Sequence, residues 1–479
     1  MNLKKIVENI NFKGQPDDRQ IFNIVHDSRK VKQGSLFVAI SGEKSDGHDF
    51  IFEAIDKGAI AILANGRSPA TNKVPILQVK NPRKIMSKIA ANFYNHPSKK
   101  VNIIGITGTN GKTTTTQLVD FILKFNKLSS GSLGTLGFSS PTGIVSTGFT
   151  TPESVDLHQI IRTMVDGGIK YIPMEISSHA IKMHRVDDID VNIAVFTNLS
   201  PDHLDFHGNM NNYFKTKLKL FENLNEKSIA IINNDDKYAK KIIKNLKCKF
   251  ITYGFKKESD FYVKSYDLKI NGTHVTFSFK NKDFDINTNL IGRFNIYNLM
   301  GAILTSLKLG LSIEQIKYSL ENFISVPGRF EQFKLKNGNN AIVDYAHTPD
   351  AFKNILSNIR ELTDKKIVTL FGCGGNRDKL KRPLMAEISE ELSEKTFITN
   401  DNPRFEDEDS IINDIIAGFK SKNYSIIKNR EEAIRKICNE FSNVMIVILG
   451  KGRDNYQIKG ENKIYHSDIG IIEEYIDES

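Results

Sequence analysis

The sequence predicts an α/β protein of several domains, each built on a largely parallel sheet with ligand-binding loops at the strand ends. Three observations carry this. β-branched apolar runs alternate with stretches of helical periodicity along most of the chain. The runs end in clusters of Gly, Ser, Asn, Asp and His, where open α/β sheets bind their ligands. One run, residues 101–106, leads through a glycine loop into a helix, an arrangement suited to a nucleoside triphosphate.

The 479 residues exceed one ordinary core, so two to four domains are expected. Hydrophobic content of 39% and charged content of 25% describe a globular chain. The N-terminal residues lack the apolar core of a signal peptide, and no run approaches a membrane span, so a cytoplasmic protein without a membrane partner is expected. Cys248, Cys373 and Cys438 are scattered without metal-ligand spacing, as suits a reducing compartment. The net charge of +10 raises a nucleic-acid reading. Against it, the lysines are spread over the whole chain and no aromatic–basic interleaving occurs. The charge favours small anionic substrates instead.

Residues 1–98 read as a small α/β domain, with strands at 34–40 and 59–63 and a helix at 49–57. His26-Asp27-Ser28-Arg29 precedes the first strand. Residues 95–98 read as a linker. The second domain, 99–327, opens with the phosphate-loop strand. A Gly/Ser/Thr-rich passage, a helix at 154–166 and strands at 169–174 and 193–196 follow. This is a doubly wound parallel sheet, with an antiparallel excursion expected over 250–290. The third domain, 328–479, is a second open, Rossmann-like α/β unit with strands at 341–344, 367–371, 397–399 and 444–449.

The chemistry is concentrated at strand ends. In Gly108-Thr109-Asn110-Gly111-Lys112-Thr113-Thr114, backbone N–H groups and the helix N-terminus would face phosphates. Lys112 would reach the β/γ-phosphates, and Thr113 or Thr114 would ligate Mg²⁺. The standard loop begins with a glycine where this chain has Ile106, so the loop is a shorter variant. Glu175, one crossover away, is placed to hold the same Mg²⁺. His203, between Asp202 and Asp205, fits a role around Mg²⁺ or phosphate better than a zinc site, although Asp202 could equally be a helix cap. Lys217, flanked by Lys215 and Lys219, reads on its own as one solvated lysine in a helix. Arg377 and Arg404 each follow a strand of the third domain, and Pro403 fixes the backbone before Arg404. Together with Asp454 they suit a zwitterion, carboxylates to arginine and ammonium to aspartate.

The ordered motifs DSRKVKQGSLFVAISG, GITGTNGKTTTT, TTPES, MEISSHA, FTNLSPDHLDFHG, YFKTK, GRFNIYN, VPGRFE, VDYAHTPDA, FGCGGNRDKLKRPLM, DNPR and LGKG cover the whole chain. In them it resembles the ATP-dependent Mur ligases of bacterial cell-wall synthesis, in the branch that adds the third residue of the peptide stem. The resemblance implies a UDP-binding first domain with Ser28 and Arg29 at matching positions. In the ATPase domain, Lys112 and Thr113 match the phosphate and Mg²⁺ residues, and Glu175 and His203 match metal-site residues. Asn295, Arg329 and Asp344 fall at its ATP positions, and His347 shares the strand end of Asp344. Thr150, Thr151, Ser177 and Arg185 match the grip on the muramoyl-dipeptide, with Met183 where the family usually has Gln.

By the same resemblance Lys217 is a carbamylated lysine, an anion able to sit between two Mg²⁺ ions. Asp401, Asn402, Pro403, Arg404, Arg377, Gly450 and Asp454 match the diamino-acid site of the diaminopimelate-adding subtype, whose usual His-Glu is here Arg453-Asp454. What is implied is a monomeric ligase of UDP-MurNAc-L-Ala-D-Glu and meso-diaminopimelate, working through an acyl phosphate. The same ligase acting on meso-lanthionine or L-lysine, and a folylpolyglutamate synthetase, are relatives of that reading. A phosphate-loop switch whose third domain binds a partner protein is the alternative of another class.

Overall fold

The computed structural model describes every residue except 43, 44, 70, 72, 141, 142, 271, 478 and 479. The first sheet is parallel and runs in chain order: β1 (Asn23–Val25), β2 (Ser35–Val38), β3 (Ala59–Ala64) and β4 (Ile76–Gln78). The helix Pro82–Phe93 covers one face. Asn81 accepts from the Lys84 N–H, and Pro82 stands where no N–H is needed. Met86, Ile89 and Ala90 then meet Leu36, Val38 and Leu63. The helix expected at 49–57 is a 3₁₀ turn, Gly47–Phe50, running into the α-helix Ile51–Asp56.

The second sheet has eleven strands. They are β5 (Asn102–Thr107), β6 (Leu133–Gly134), β7 (Gly137–Ser140), β8 (Gly143–Val145), β9 (Tyr171–Glu175), β10 (Ile193–Phe196), β11 (Ile229–Asn233), β12 (Lys249–Gly254), β13 (Phe261–Lys269), β14 (Gly272–Phe279) and β15 (Lys282–Thr288). Their spatial order is β15-β14-β13-β12-β11-β10-β5-β9-β6-β7-β8. The stretch from β13 through β6 is parallel, and both ends of the sheet are antiparallel. Along β5, Ile103 faces one apolar layer and Ile104 and Ile106 the other, all fully buried. Burial on both faces is why the run is apolar throughout instead of alternating. Helices Lys112–Phe125 and Arg293–Lys308 cover one face, and Ser154–Asp166 and Met210–Glu222 the other.

Two expectations need correction here. The antiparallel excursion begins at β13, because β12 is parallel to β11 and belongs to the wound sheet. The Gly/Ser/Thr-rich passage after the phosphate-loop helix carries a second antiparallel ribbon, β6-β7-β8. β6 is only two residues long, and β7 and β8 are short and largely outside the core, so the ribbon lacks a strong apolar signal.

The third sheet, in the order β16-β17-β21-β18-β19-β20, comprises β16 (Glu331–Lys334), β17 (Asn340–Asp344), β18 (Lys366–Phe371), β19 (Lys395–Ile398), β20 (Tyr424–Ile426) and β21 (Val444–Leu449). The four strands expected from sequence form its parallel centre. The half-exposed edges β16 and β20 were not legible. A separate hairpin, β22 (Tyr456–Lys459) and β23 (Asn462–Tyr465), lies beside the Arg404 loop.

Candidate active site

In the second sheet β5 lies between β9 and β10, where the strand order reverses, so the loops after these three strands meet at one edge. They form the wall of a cleft of about 920 Å³, closed on its far side by the third domain. Ile106 continues β5 and pairs with Glu175, so the phosphate loop starts later than in the longer form. Two glycines make the loop possible. A Cβ on Gly108 would lie 1.9 Å from Thr197 Oγ1, and Gly111 has φ of +84°, with Asn298 Oδ1 in the place of a Cβ.

Lys112 is the first residue of its helix and folds over the loop, donating to Gly108 O at 3.0 Å and Thr109 O at 2.8 Å. Burial lowers its pKa. Thr113 donates to Glu175 Oε2 at 2.9 Å, and Arg329 donates to the same hydroxyl at 3.1 Å. Glu175 also accepts the Thr135 N–H at 2.8 Å and the Thr135 hydroxyl at 3.2 Å. Thr135, on the ribbon the sequence did not reveal, was missed as a site residue.

Lys217 overturns its reading as a solvated lysine. It stands in the third turn of the helix Met210–Glu222 and is 2% exposed, while Lys215 and Lys219 face water. Its ammonium donates to Gly108 O at 2.8 Å and lies over the Tyr213 ring. Burial, and next the Lys112 charge, lower its pKa well below the ordinary value. His203 has φ of +53°, and its ring packs edge-on against His179. Burial pushes its pKa down to about 3. Asp202 accepts the His203 N–H at 2.8 Å and lines the cleft, but the short helix Leu204–His207 begins at His203 with no side-chain cap bond, so Asp202 does not cap it.

Around the mouth of the cleft, Thr150 meets Thr135 at 3.1 Å, and Thr151 donates to Glu175 O at 2.8 Å. The Ser177 N–H donates to Thr151 at 3.2 Å. Arg185 donates to Thr151 O at 2.9 Å and pairs with Glu153 at 2.8 Å. Glu153 also receives Arg83 of the first domain at 3.1 Å. Met183 caps the short helix Ser178–Lys182 and does not line the cleft. Ser28 and Arg29 lie apart from the cleft, Ser28 buried and Arg29 paired with Asp27 at 2.9 Å.

The third domain reaches the phosphate loop through Asp350, another residue the sequence reading missed. One carboxylate oxygen of Asp350 accepts from Asn110 Nδ2 and from Ser200 Oγ, each at 3.0 Å. Asn295 is buried at the start of its helix and bonded to Asn298, while Arg329 lies over Tyr345. Asp344 lines the cleft, yet both of its oxygens accept backbone N–H groups, Phe330 at 2.7 Å and Ala346 at 2.6 Å. Burial raises its pKa. Its present task is to tie the interdomain segment to β17.

Arg377 is exposed and lines the same cleft. Asp401, Asn402, Pro403, Arg404, Gly450 and Asp454 form a second cluster outside it, at the ends of β19 and β21. Arg404 has φ of +56°, set by bonds from its N–H to Ile458 O and from Gly460 N–H to its carbonyl. Its guanidinium donates to Gly375 O at 2.9 Å, beside the loop that carries Arg377. Arg382, also missed, is wholly buried and joins the two arginine loops through Glu406 and Gly374 O.

Comparison with known proteins gives a consistent result. The family model of the Mur ligase middle domain matches residues 106–306, that of the Mur ligase, glutamate ligase domain matches 328–452, and that of the Mur ligase family, catalytic domain, matches 20–94. The UDP-N-acetylmuramoyl-L-alanyl-D-glutamate--2,6-diaminopimelate ligase 1 of Clostridium acetobutylicum is 40% identical over 484 residues, covering 100% of both chains. The like-named ligase of Clostridioides difficile is 41% identical over 486 residues, covering 99% of each. A solved structure of a UDP-N-acetylmuramoyl-L-alanyl-D-glutamate--2,6-diaminopimelate ligase superposes with a TM-score of 0.70 at 27% identity, covering 99% of this chain and 98% of that one. The MurF ligase of Thermotoga maritima, solved with ADP, shares the fold at a TM-score of 0.66 and 20% identity.

Proposed function

The chain belongs to the Mur ligase family, and on that premise we propose that it is the ATP-dependent ligase that joins meso-diaminopimelate to the D-Glu of UDP-MurNAc-L-Ala-D-Glu. The observation that carries this reading is end-to-end identity of 40% with ligases named for that reaction. The γ-carboxylate of D-Glu attacks the γ-phosphate of ATP, giving an acyl phosphate and ADP. The amine of diaminopimelate then attacks the acyl carbon, a tetrahedral adduct forms, and phosphate leaves. Lys112 and the loop N–H groups hold the phosphates. Thr150, Thr151, Ser177 and Arg185 are placed at the mouth to take the dipeptide arm, and Asn295 and Arg329 to meet the nucleotide. Positioning and charge neutralisation supply most of the acceleration.

The residues present fit Mg²⁺. The Thr113 hydroxyl and Glu175 carboxylate offer hard oxygens 2.9 Å apart, and a guanidinium already bonds to that hydroxyl. When bound, Mg²⁺ would neutralise charge developing on the phosphates. Burial lowers the Lys217 pKa well below the ordinary value, and the deprotonated amine is the form that adds CO₂, which supports its carbamylation beside that site.

Arg404 and Arg377 supply guanidinium groups for the distal carboxylate that meso-diaminopimelate has and L-lysine lacks. Asp454, one methylene shorter than the usual Glu, leaves room for a slightly longer diamino diacid such as meso-lanthionine. A monomer is part of this proposal. Three free thiols suit the cytoplasm, and among the described residues no helix is long and apolar enough to cross a membrane. The test is phosphate release from ATP with UDP-MurNAc-dipeptide and each amino acid in turn. Release should depend on meso-diaminopimelate and be far slower with L-lysine; release indifferent to the amino acid would instead indicate a nucleotide switch.

A further inference from the structure

Lys451 is an unusual residue to find at the end of β21. Its side chain is fully buried, its ammonium lies 3.2 Å from Asp401 Oδ1 and 3.2 Å from Asn402 Oδ1, and the Tyr456 ring is 5.7 Å away. A buried ammonium is costly unless it settles a charge, and the charge here is Asp401, itself 8% exposed. Asp401 is also close enough to Arg404 to act on it electrostatically. Yet among the described residues the Arg404 guanidinium donates to main-chain carbonyls, Gly375 O at 2.9 Å and Asn402 O at 3.4 Å, and to no carboxylate. Among the described residues the Arg377 guanidinium likewise donates to Asn376 O alone, at 3.4 Å.

The same ammonium settles the Asn402 amide. Oδ1 accepts from Lys451 and from the Ile458 N–H at 2.9 Å, both of which can only donate. The amide is therefore fixed with its Nδ2 donor turned away from Lys451.

We propose that Lys451 is the positioning residue that makes this loop a reader of carboxylates: it engages the Asp401 carboxylate, so that Arg404 does not pair with it, and leaves the donors Arg404 and Asn402 Nδ2 for the substrate. The inference rests on the reading of this cluster as the diamino-acid site. Without Lys451, the unpaired Asp401 carboxylate would compete with the substrate for the Arg404 guanidinium. Neutralising both members of the pair would remove the competitor, and the Ile458 N–H would still orient Asn402.

The test uses the full chain with Lys451→Met and the double variant Lys451→Met/Asp401→Asn. For K451M the KM for meso-diaminopimelate should rise about tenfold or more, as expected when a substrate contact worth about 1.4 kcal/mol is diverted, with KM for ATP within about twofold of the parent. The double variant should recover most of that loss. A purely structural role predicts no recovery, so a double variant as impaired as K451M overturns the inference. If K451M does not fold, the double variant, which buries no charge at this pair, decides alone: loss of preference for meso-diaminopimelate over L-lysine in it overturns the proposal. Failure of the underlying reading looks different, since the unaltered protein would then show no dependence on diaminopimelate at all.

Discussion

The Thr113 hydroxyl donates to the Glu175 carboxylate across 2.9 Å, although 62 residues separate them in the chain. The contact exists because β5 and β9 are neighbours in parallel register, with Ile106 opposite Glu175. It ties the phosphate loop to the strand end beside it and places two hard oxygen donors at one point.

Glu175→Gln keeps the shape but removes the charge and one of the two acceptor oxygens. Phosphate release at fixed Mg²⁺ should fall by about two orders of magnitude, and the Mg²⁺ concentration giving half-maximal rate should rise. An unchanged Mg²⁺ dependence would separate Glu175 from the metal.

Asp350 places a carboxylate of the third domain on the phosphate loop, through Asn110 and Ser200. A triphosphate arriving there meets a like charge. Asp350→Asn should lower the KM for ATP about threefold, by relieving that repulsion, with kcat less affected. A raised KM would show that the carboxylate supports nucleotide binding.

His158 is fully buried, and neither ring nitrogen has a hydrogen-bond partner among the described residues. Burial, reinforced by His96, pushes its pKa down to about 3 from an ordinary 6.5. Its neutral form is the one that folds. The stability contribution is therefore fully present above pH 6.5 and is lost as the pH falls from 6.5 towards 3, at about 1.4 kcal/mol per unit. Between pH 6.5 and 5 that is about 2 kcal/mol. Thermal unfolding of His158→Leu should change less between pH 7 and pH 5 than that of the parent chain; equal changes would assign the acid sensitivity elsewhere.

Arg430 and Asp468 form a buried pair at 2.7 Å, with His466 on the same carboxylate. Burial alone would raise the Asp468 pKa, but the Arg430 charge and hydrogen bonds hold it below the usual carboxylate range. Asp468→Asn leaves a buried guanidinium without its counter-charge and should cost about 3–5 kcal/mol in denaturant unfolding. Adding Arg430→Met should restore much of it. A double variant no more stable than D468N would mean that packing, and not charge, is what Asp468 supplies.

The sequence by itself determined a great deal here. The phosphate-loop strand and helix, the helix Ser154–Asp166 and the parallel centre of the third sheet were legible because they are buried on two faces or strongly periodic, so their pattern does not depend on partners. The ordered motifs pointed to the family, because a dozen short constraints in one order leave few alternatives. The edge strands β16 and β20 and the ribbon β6-β7-β8 were silent, since half-exposed strands are stabilised by neighbours distant in the chain.

What only the tertiary structure decided is which polar residues share a charge. Lys217 differs from Lys215 and Lys219 in nothing local; the fold of its helix against β5 turns it alone into the interior. Asp350, Lys451 and Arg382 act on groups 24 to 240 positions away, and no spacing rule joins them. Burial and pairing are properties of three-dimensional neighbours, and they, more than residue identity, set what these side chains can do.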